Sequence, residues 1–165
     1  MTRAAVMGSG SWGTVFGMVL ADAGGDVVVW GRNAEVASDI NAHHRNDAFH
    51  PGIDLPAGLS ATTDAAEALN GAEIVVLAVP SQVLRENLAT WGAGIGARAT
   101  VVSLMKGIEL GSTMRMSEVI AEAGGIGPDR FSVVSGPNLA REIALRQPTA
   151  TTVACADQEN AQRLQ

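Results

Sequence analysis

The stretch VMGSGSWGTVFG, residues 6–17, spaces Gly8, Gly10 and Gly13 as G-x-G-x-x-G, and nothing else in the chain constrains its fold as much. The segment before it, RAAVMG, reads as a buried strand ending at Gly8. The segment after it, SWGTVFGMVLADA, reads as a helix with Trp12, Val15, Val19 and Ala23 on one stripe, stopped by Gly24 and Gly25. A second strand, DVVVWG, follows and completes a β-α-β unit, the context in which this spacing gains meaning. There Gly8 permits the tight turn, Gly10 lets a pyrophosphate approach the backbone, and Gly13 lets helix and strand pack closely. The helix N-terminus adds free N–H groups and a dipole worth about 0.3–1 kcal/mol to an anion. Dinucleotide binding is the favoured reading; flexible punctuation is the alternative.

Short apolar runs continue to alternate with helical patterns. NAEVASDINAHHRN predicts a helix capped by Asn33, and TDAAEALNG one capped by Thr63. AEIVVLAVPS is the clearest strand, apolar on both faces until Pro80 ends it, and ATVVSLMKG, FSVVSGPN and TATTVACA repeat the form. TMRMSEVIAEAGG predicts a helix with a glycine stop. Strands separated by helix-length segments predict an α/β fold, Rossmann-like and doubly wound around a mostly parallel sheet. The last segment, DQENAQRLQ, starts like a capped amphipathic helix but leaves Leu164 little apolar face to join, as in a chain cut within a larger protein.

A length of 165 residues suits one domain, residues 1–165, and 47% hydrophobic with 17% charged residues suits a globular one. The formal net charge of −6 gives no basic field to attract nucleic acid or an anionic membrane. No segment reads as a membrane span or secretory signal, which predicts a cytoplasmic location. Cys155, the single cysteine, reads as a buried small side chain, and Trp91 as core. His43, His44 and His50 lack the companions of a metal site, so no metal is expected.

With an acidic chain, an anionic ligand must be held locally. An acid usually ends the second strand of a dinucleotide fold, where it accepts ribose hydroxyls. This chain has VVWGRN there, and Arg32 suits a 2′-phosphate instead, the other reading being a solvated arginine. Ten of the eleven basic residues are arginine; Lys106, the only lysine, follows a strand in MKGIE. It can set a compact charge against a phosphate or substrate oxygen, or simply face solvent. Gly136 and Asn138, in SGPN, can bring donors to the same crevice, or form a Gly-Pro turn with an Asn cap.

The ordered set GSGSWGT, VWGR, NAHHRNDAFHPGI, IVVLAVPSQ, SLMKGIE and SGPNLAREIA resembles the N-terminal half of bacterial NAD(P)-dependent glycerol-3-phosphate dehydrogenases over essentially the whole chain. The resemblance implies NADP(H) or NAD(H) as cofactor, dihydroxyacetone phosphate and sn-glycerol 3-phosphate as substrates, a role in phospholipid synthesis, and a homodimer for the full-length enzyme. It implies that Ser11, Trp12 and Arg32 meet the dinucleotide with Ala140 nearby, and that Asn33 and Phe49 are further cofactor contacts. Lys106 is implied to touch cofactor and substrate, and Gly136 and Asn138 to contact glycerol 3-phosphate, although many relatives carry Ser or Thr in place of Asn138. The family's all-helical C-terminal domain and its proton-transferring lysine are implied to lie beyond Gln165. A 6-phosphogluconate-dehydrogenase-like hydroxyacid or ketopantoate reductase shares the glycine turn but not MKG and SGPN. A noncatalytic dinucleotide sensor is the alternative from another class.

Overall fold

The computed structural model describes residues 1–165 and contains one seven-stranded sheet. In chain order the strands are β1 (Arg3–Met7), β2 (Asp26–Trp30), β3 (Leu59–Thr62), β4 (Ile74–Leu77), β5 (Thr100–Ser103), β6 (Phe131–Ser135) and β7 (Thr152–Cys155). Their spatial order is β3-β2-β1-β4-β5-β6-β7, parallel throughout except for β7, which pairs antiparallel with β6 at the edge. This is a Rossmann-like α/β sheet, as the alternation of elements predicts.

Strand alternation divides the core between two faces. Ala5, Met7, Val28, Trp30, Val75, Leu77 and Val101 face one way. Against them pack α3 (Ala65–Leu69), α4 (Leu84–Trp91) and α5 (Met116–Gly124), through residues such as Leu88, Trp91 and Ile120. Ala4, Val6, Val27, Val29, Val76 and Val102 face the other way, against Met18 of α1 (Ser11–Asp22) and Val36 and Ile40 of α2 (Ala34–His43). Trp30 and Trp91 meet edge-to-face with ring centroids 5.9 Å apart, which makes Trp91 core.

Several local expectations need correction. The buried face of α1 is Gly13, Thr14, Val15, Gly17 and Met18, whereas Val19 is 43% exposed. Glycines set this face: a Cβ on Gly17 would lie 3.1 Å from Leu59 and 3.3 Å from Val29 side chains, so the helix approaches the sheet where it has no side chains. The cap of α3 is Asp64 rather than Thr63, its carboxylate accepting from the N–H groups of Ala66 and Glu67. The TATTVACA segment does not form another buried parallel strand; β7 is a half-exposed edge, and Cys155 is only partly buried. Leu164, on α7 (Gln158–Leu164), packs against the second face after all. Asn33 caps α2 and Gly125 stops α5 in the left-handed region, both as predicted. No helix is long and apolar enough to cross a membrane.

Candidate functional site

β1 and β4 are neighbours, but the chain leaves β1 into α1 on one face and β4 into α4 on the other. Such a switch point opens a crevice beyond the carboxyl ends of the strands. A cleft of about 800 Å³ lies there. Its walls are Gly8, Gly10 and Trp12 after β1, Gly31, Arg32 and Asn33 after β2, residues 78–81 after β4, and residues 104–106 after β5, with Phe49 reaching in from a loop.

The three motif glycines meet distinct steric demands. Gly8 has φ +137°, and a Cβ on it would sit 2.6 Å from the Ala78 carbonyl oxygen. A Cβ on Gly13 would lie 1.8 Å from the Gly8 carbonyl oxygen, so turn and helix close on each other only because it is absent. A Cβ on Gly10 would meet nothing within 4 Å; its outer side is open. Gly31 was not singled out by the motif, yet a Cβ there would lie 2.0 Å from Ser9 Oγ.

The cleft contains two cations, Arg32 and Lys106, and no carboxylate lines it, although the whole chain is acidic. Neither cation is in a salt bridge, whereas Arg3, Arg45, Arg85, Arg115, Arg146 and Arg163 all are. The field inside the cleft therefore favours an anion.

Lys106 begins a loop, residues 106–115, that is anchored at several points. The Gln82 side chain donates to the Ile108 carbonyl and accepts from the Leu110 N–H, both at 2.9 Å, in place of a strand neighbour. Arg85 clamps Glu109 through Nε and Nη2, each at 2.9 Å, and reaches Glu122 through Nη1. The hydrogen bonds from Arg85 and Ser112 hold the Glu109 carboxyl below the usual carboxylate range, and the two glutamates raise the Arg85 guanidinium in turn. Gln82 and Glu109 fall inside the quoted stretches IVVLAVPSQ and SLMKGIE, but sequence spacing gave no sign of their contacts or of Arg85.

Of the residues singled out from the sequence, Gly8, Gly10, Trp12, Arg32, Asn33, Phe49 and Lys106 share this cleft. Ser11 belongs to the turn, its Oγ lies 3.1 Å from His50 Nε2, and Gly13 is buried beneath it. Gly136, Asn138 and Ala140 are not in the wall. Gly136 lies against the Ala150 carbonyl, 2.7 Å from where a Cβ would stand; Asn138 donates from Nδ2 to Thr151 Oγ1; Ala140, on α6 (Ala140–Ala144), packs against Val15 of α1. The histidines separate: His43 pairs with Asp39, His44 ends α2 and His50 is buried. No group of three or more metal-ligating side chains converges.

Residues 3–161 match the family model described as NAD-dependent glycerol-3-phosphate dehydrogenase N-terminus. The chain is 56% identical over its full length to a glycerol-3-phosphate dehydrogenase [NAD(P)+] of Corynebacterium urealyticum, covering 50% of that protein. It is 58% identical over 99% of its length to the enzyme of the same name from Streptomyces avermitilis, covering 48% of it. Among solved structures, the crystal structure of glycerol-3-phosphate dehydrogenase from Coxiella burnetii superposes with a TM-score of 0.90 at 31% identity, over 99% of this chain and 49% of that one. The chain thus spans about half the length of the relatives it matches.

Proposed function

The chain belongs to the NAD-dependent glycerol-3-phosphate dehydrogenase family, and from that premise we propose that it is the dinucleotide-binding part of an enzyme that reduces dihydroxyacetone phosphate reversibly to sn-glycerol 3-phosphate for glycerophospholipid synthesis. The observation that carries the reading is the cleft at the switch point, with its open glycine turn, two unpaired cations and no carboxylate.

The walls fit NAD(P)H. Gly10 leaves room for a pyrophosphate against the backbone, and the N–H groups of Gly10 and Trp12 have no acceptor within the protein. Arg32 stands in the wall after β2 and suits a 2′-phosphate, which favours NADPH. Trp12, Asn33 and Phe49 supply further cofactor contacts in this reading. Lys106 offers an ammonium to phosphate or substrate oxygen. Gly136 and Asn138 are proposed to meet glycerol 3-phosphate, and Ala140 the cofactor, from the connection between β6 and α6. When bound, NAD(P)H supplies the hydride. In this reading the developing alkoxide is protonated by the lysine that the resemblance implies for the part of the relatives' length this chain does not span.

The 165-residue chain therefore binds NADPH and turns over little. Titration with NADPH should change tryptophan fluorescence, and Trp12→Phe should remove much of that signal, the remainder coming from Trp30, which also lines the cleft. Absence of binding would sink the dinucleotide reading. Oxidation of NADPH by dihydroxyacetone phosphate at the rate of a full-length relative would sink the division of labour.

A further inference from the structure

The glycine turn is held from behind. Residues 44–58, connecting α2 to β3, fold back and set two buried polar side chains against it. Asn46, 1% exposed, donates from Nδ2 to the Ser9 carbonyl at 3.1 Å and to Thr14 Oγ1 at 2.8 Å. His50, 3% exposed, has Nε2 3.0 Å from the Ser11 carbonyl and 3.1 Å from the Ser11 hydroxyl. A carbonyl oxygen only accepts, so Nε2 must carry the ring hydrogen. That same N–H faces the Ser11 hydroxyl oxygen, which leaves the hydroxyl hydrogen free to turn elsewhere.

The pinned groups are the Ser9 and Ser11 carbonyls. In a trans peptide the C=O and the following N–H point in opposite directions, and this chain has no cis bond. Drawing those carbonyls toward Asn46 and His50 turns the N–H groups of Gly10 and Trp12 away from those two side chains. These are two of the turn's free donors. Neither Asn46 nor His50 lines the cleft.

We propose that Asn46 and His50 are positioning residues for the dinucleotide: by holding two carbonyls they aim two peptide N–H groups at the pyrophosphate. The inference rests on the dinucleotide reading and deepens it. It predicts a selective loss, because a ligand without a pyrophosphate has no use for the aimed donors.

The test compares the 165-residue chain with His50→Met, which keeps bulk but loses the donor, and His50→Gln, whose amide nitrogen can take the place of Nε2. Dissociation constants are measured for NADPH and for adenosine 2′-monophosphate, with thermal unfolding alongside. Losing this hydrogen bond should weaken NADPH binding about tenfold. Adenosine 2′-monophosphate should change by less than about twofold, and His50→Gln should recover most of the NADPH affinity. Unchanged NADPH affinity in His50→Met, equal loss of both ligands, or a His50→Gln variant as weak as His50→Met would overturn the proposal. Should His50→Met fail to fold, the ¹⁵N resonances of His50 in the unsubstituted chain still decide: hydrogen on Nε2 supports it and hydrogen on Nδ1 overturns it. If the unsubstituted chain binds neither NADPH nor NADH, it is the underlying reading that fails.

Discussion

Gly10 and Gly13 stand three residues apart and are glycine for opposite reasons. Gly13 is glycine because the protein fills the space, Gly10 because the protein leaves it open. Gly13→Ala should cost at least about 2 kcal/mol, as overpacking against backbone does. Gly10, at φ −74°, already has backbone angles any residue adopts, so Gly10→Ala should leave the thermal midpoint unchanged or slightly raised while cutting NADPH affinity by about tenfold or more. Chemical denaturation of both variants beside NADPH titrations checks the pair. Arg32→Gln should weaken NADPH by about 10- to 150-fold, the worth of a charge-assisted hydrogen bond, and NADH far less; equal losses for both nucleotides would remove the 2′-phosphate role. These glycines and Arg32 were legible because their meaning is local, set by a turn or by distance from it. Asn46 and His50 fall inside the quoted stretch NAHHRNDAFHPGI, but their role was not legible, since their partners lie 37 and 39 residues away and no local pattern marks that pairing.

Elements were legible where apolar side chains mark them. The valine-rich strands declared themselves, whereas β3 alternates polar and apolar over four residues and gave too little signal. The face of α1 departs from the apolar stripe because the residues that settle it are glycines, which leave no apolar mark. The loop after Lys106 owes its shape to side chains from α4 and the short turn Ser81–Val83, so it too was invisible in sequence. Glu109 gives it a pH dependence. Its folded pKa lies below its ordinary 4.5, so the stabilisation is present above that value and is lost as pH falls through the folded one. Thermal midpoints measured as pH drops below about 5 should fall less steeply for Glu109→Gln than for the unsubstituted chain. Parallel curves would mean that the Arg85 clamp contributes nothing to folding.

At the scale of the whole molecule, the order of strands and helices was enough to predict the doubly wound sheet, because crossover rules leave few other ways to bury strands on both faces. The reversal of β7 was not, since an apolar edge strand looks the same in either direction. The strand order also has a consequence in time. β1 carries the glycine turn, yet its neighbour β4 joins it as Ala4 to Ile74, across α1, β2, α2, β3 and α3. Closing that connection costs loop entropy that pairings between nearer segments do not. A growing polypeptide therefore exhibits the whole motif long before it has a rigid platform for it. The ability to hold a nucleotide therefore waits on β4 and on Lys106, although the glycine turn itself is among the first segments to be made.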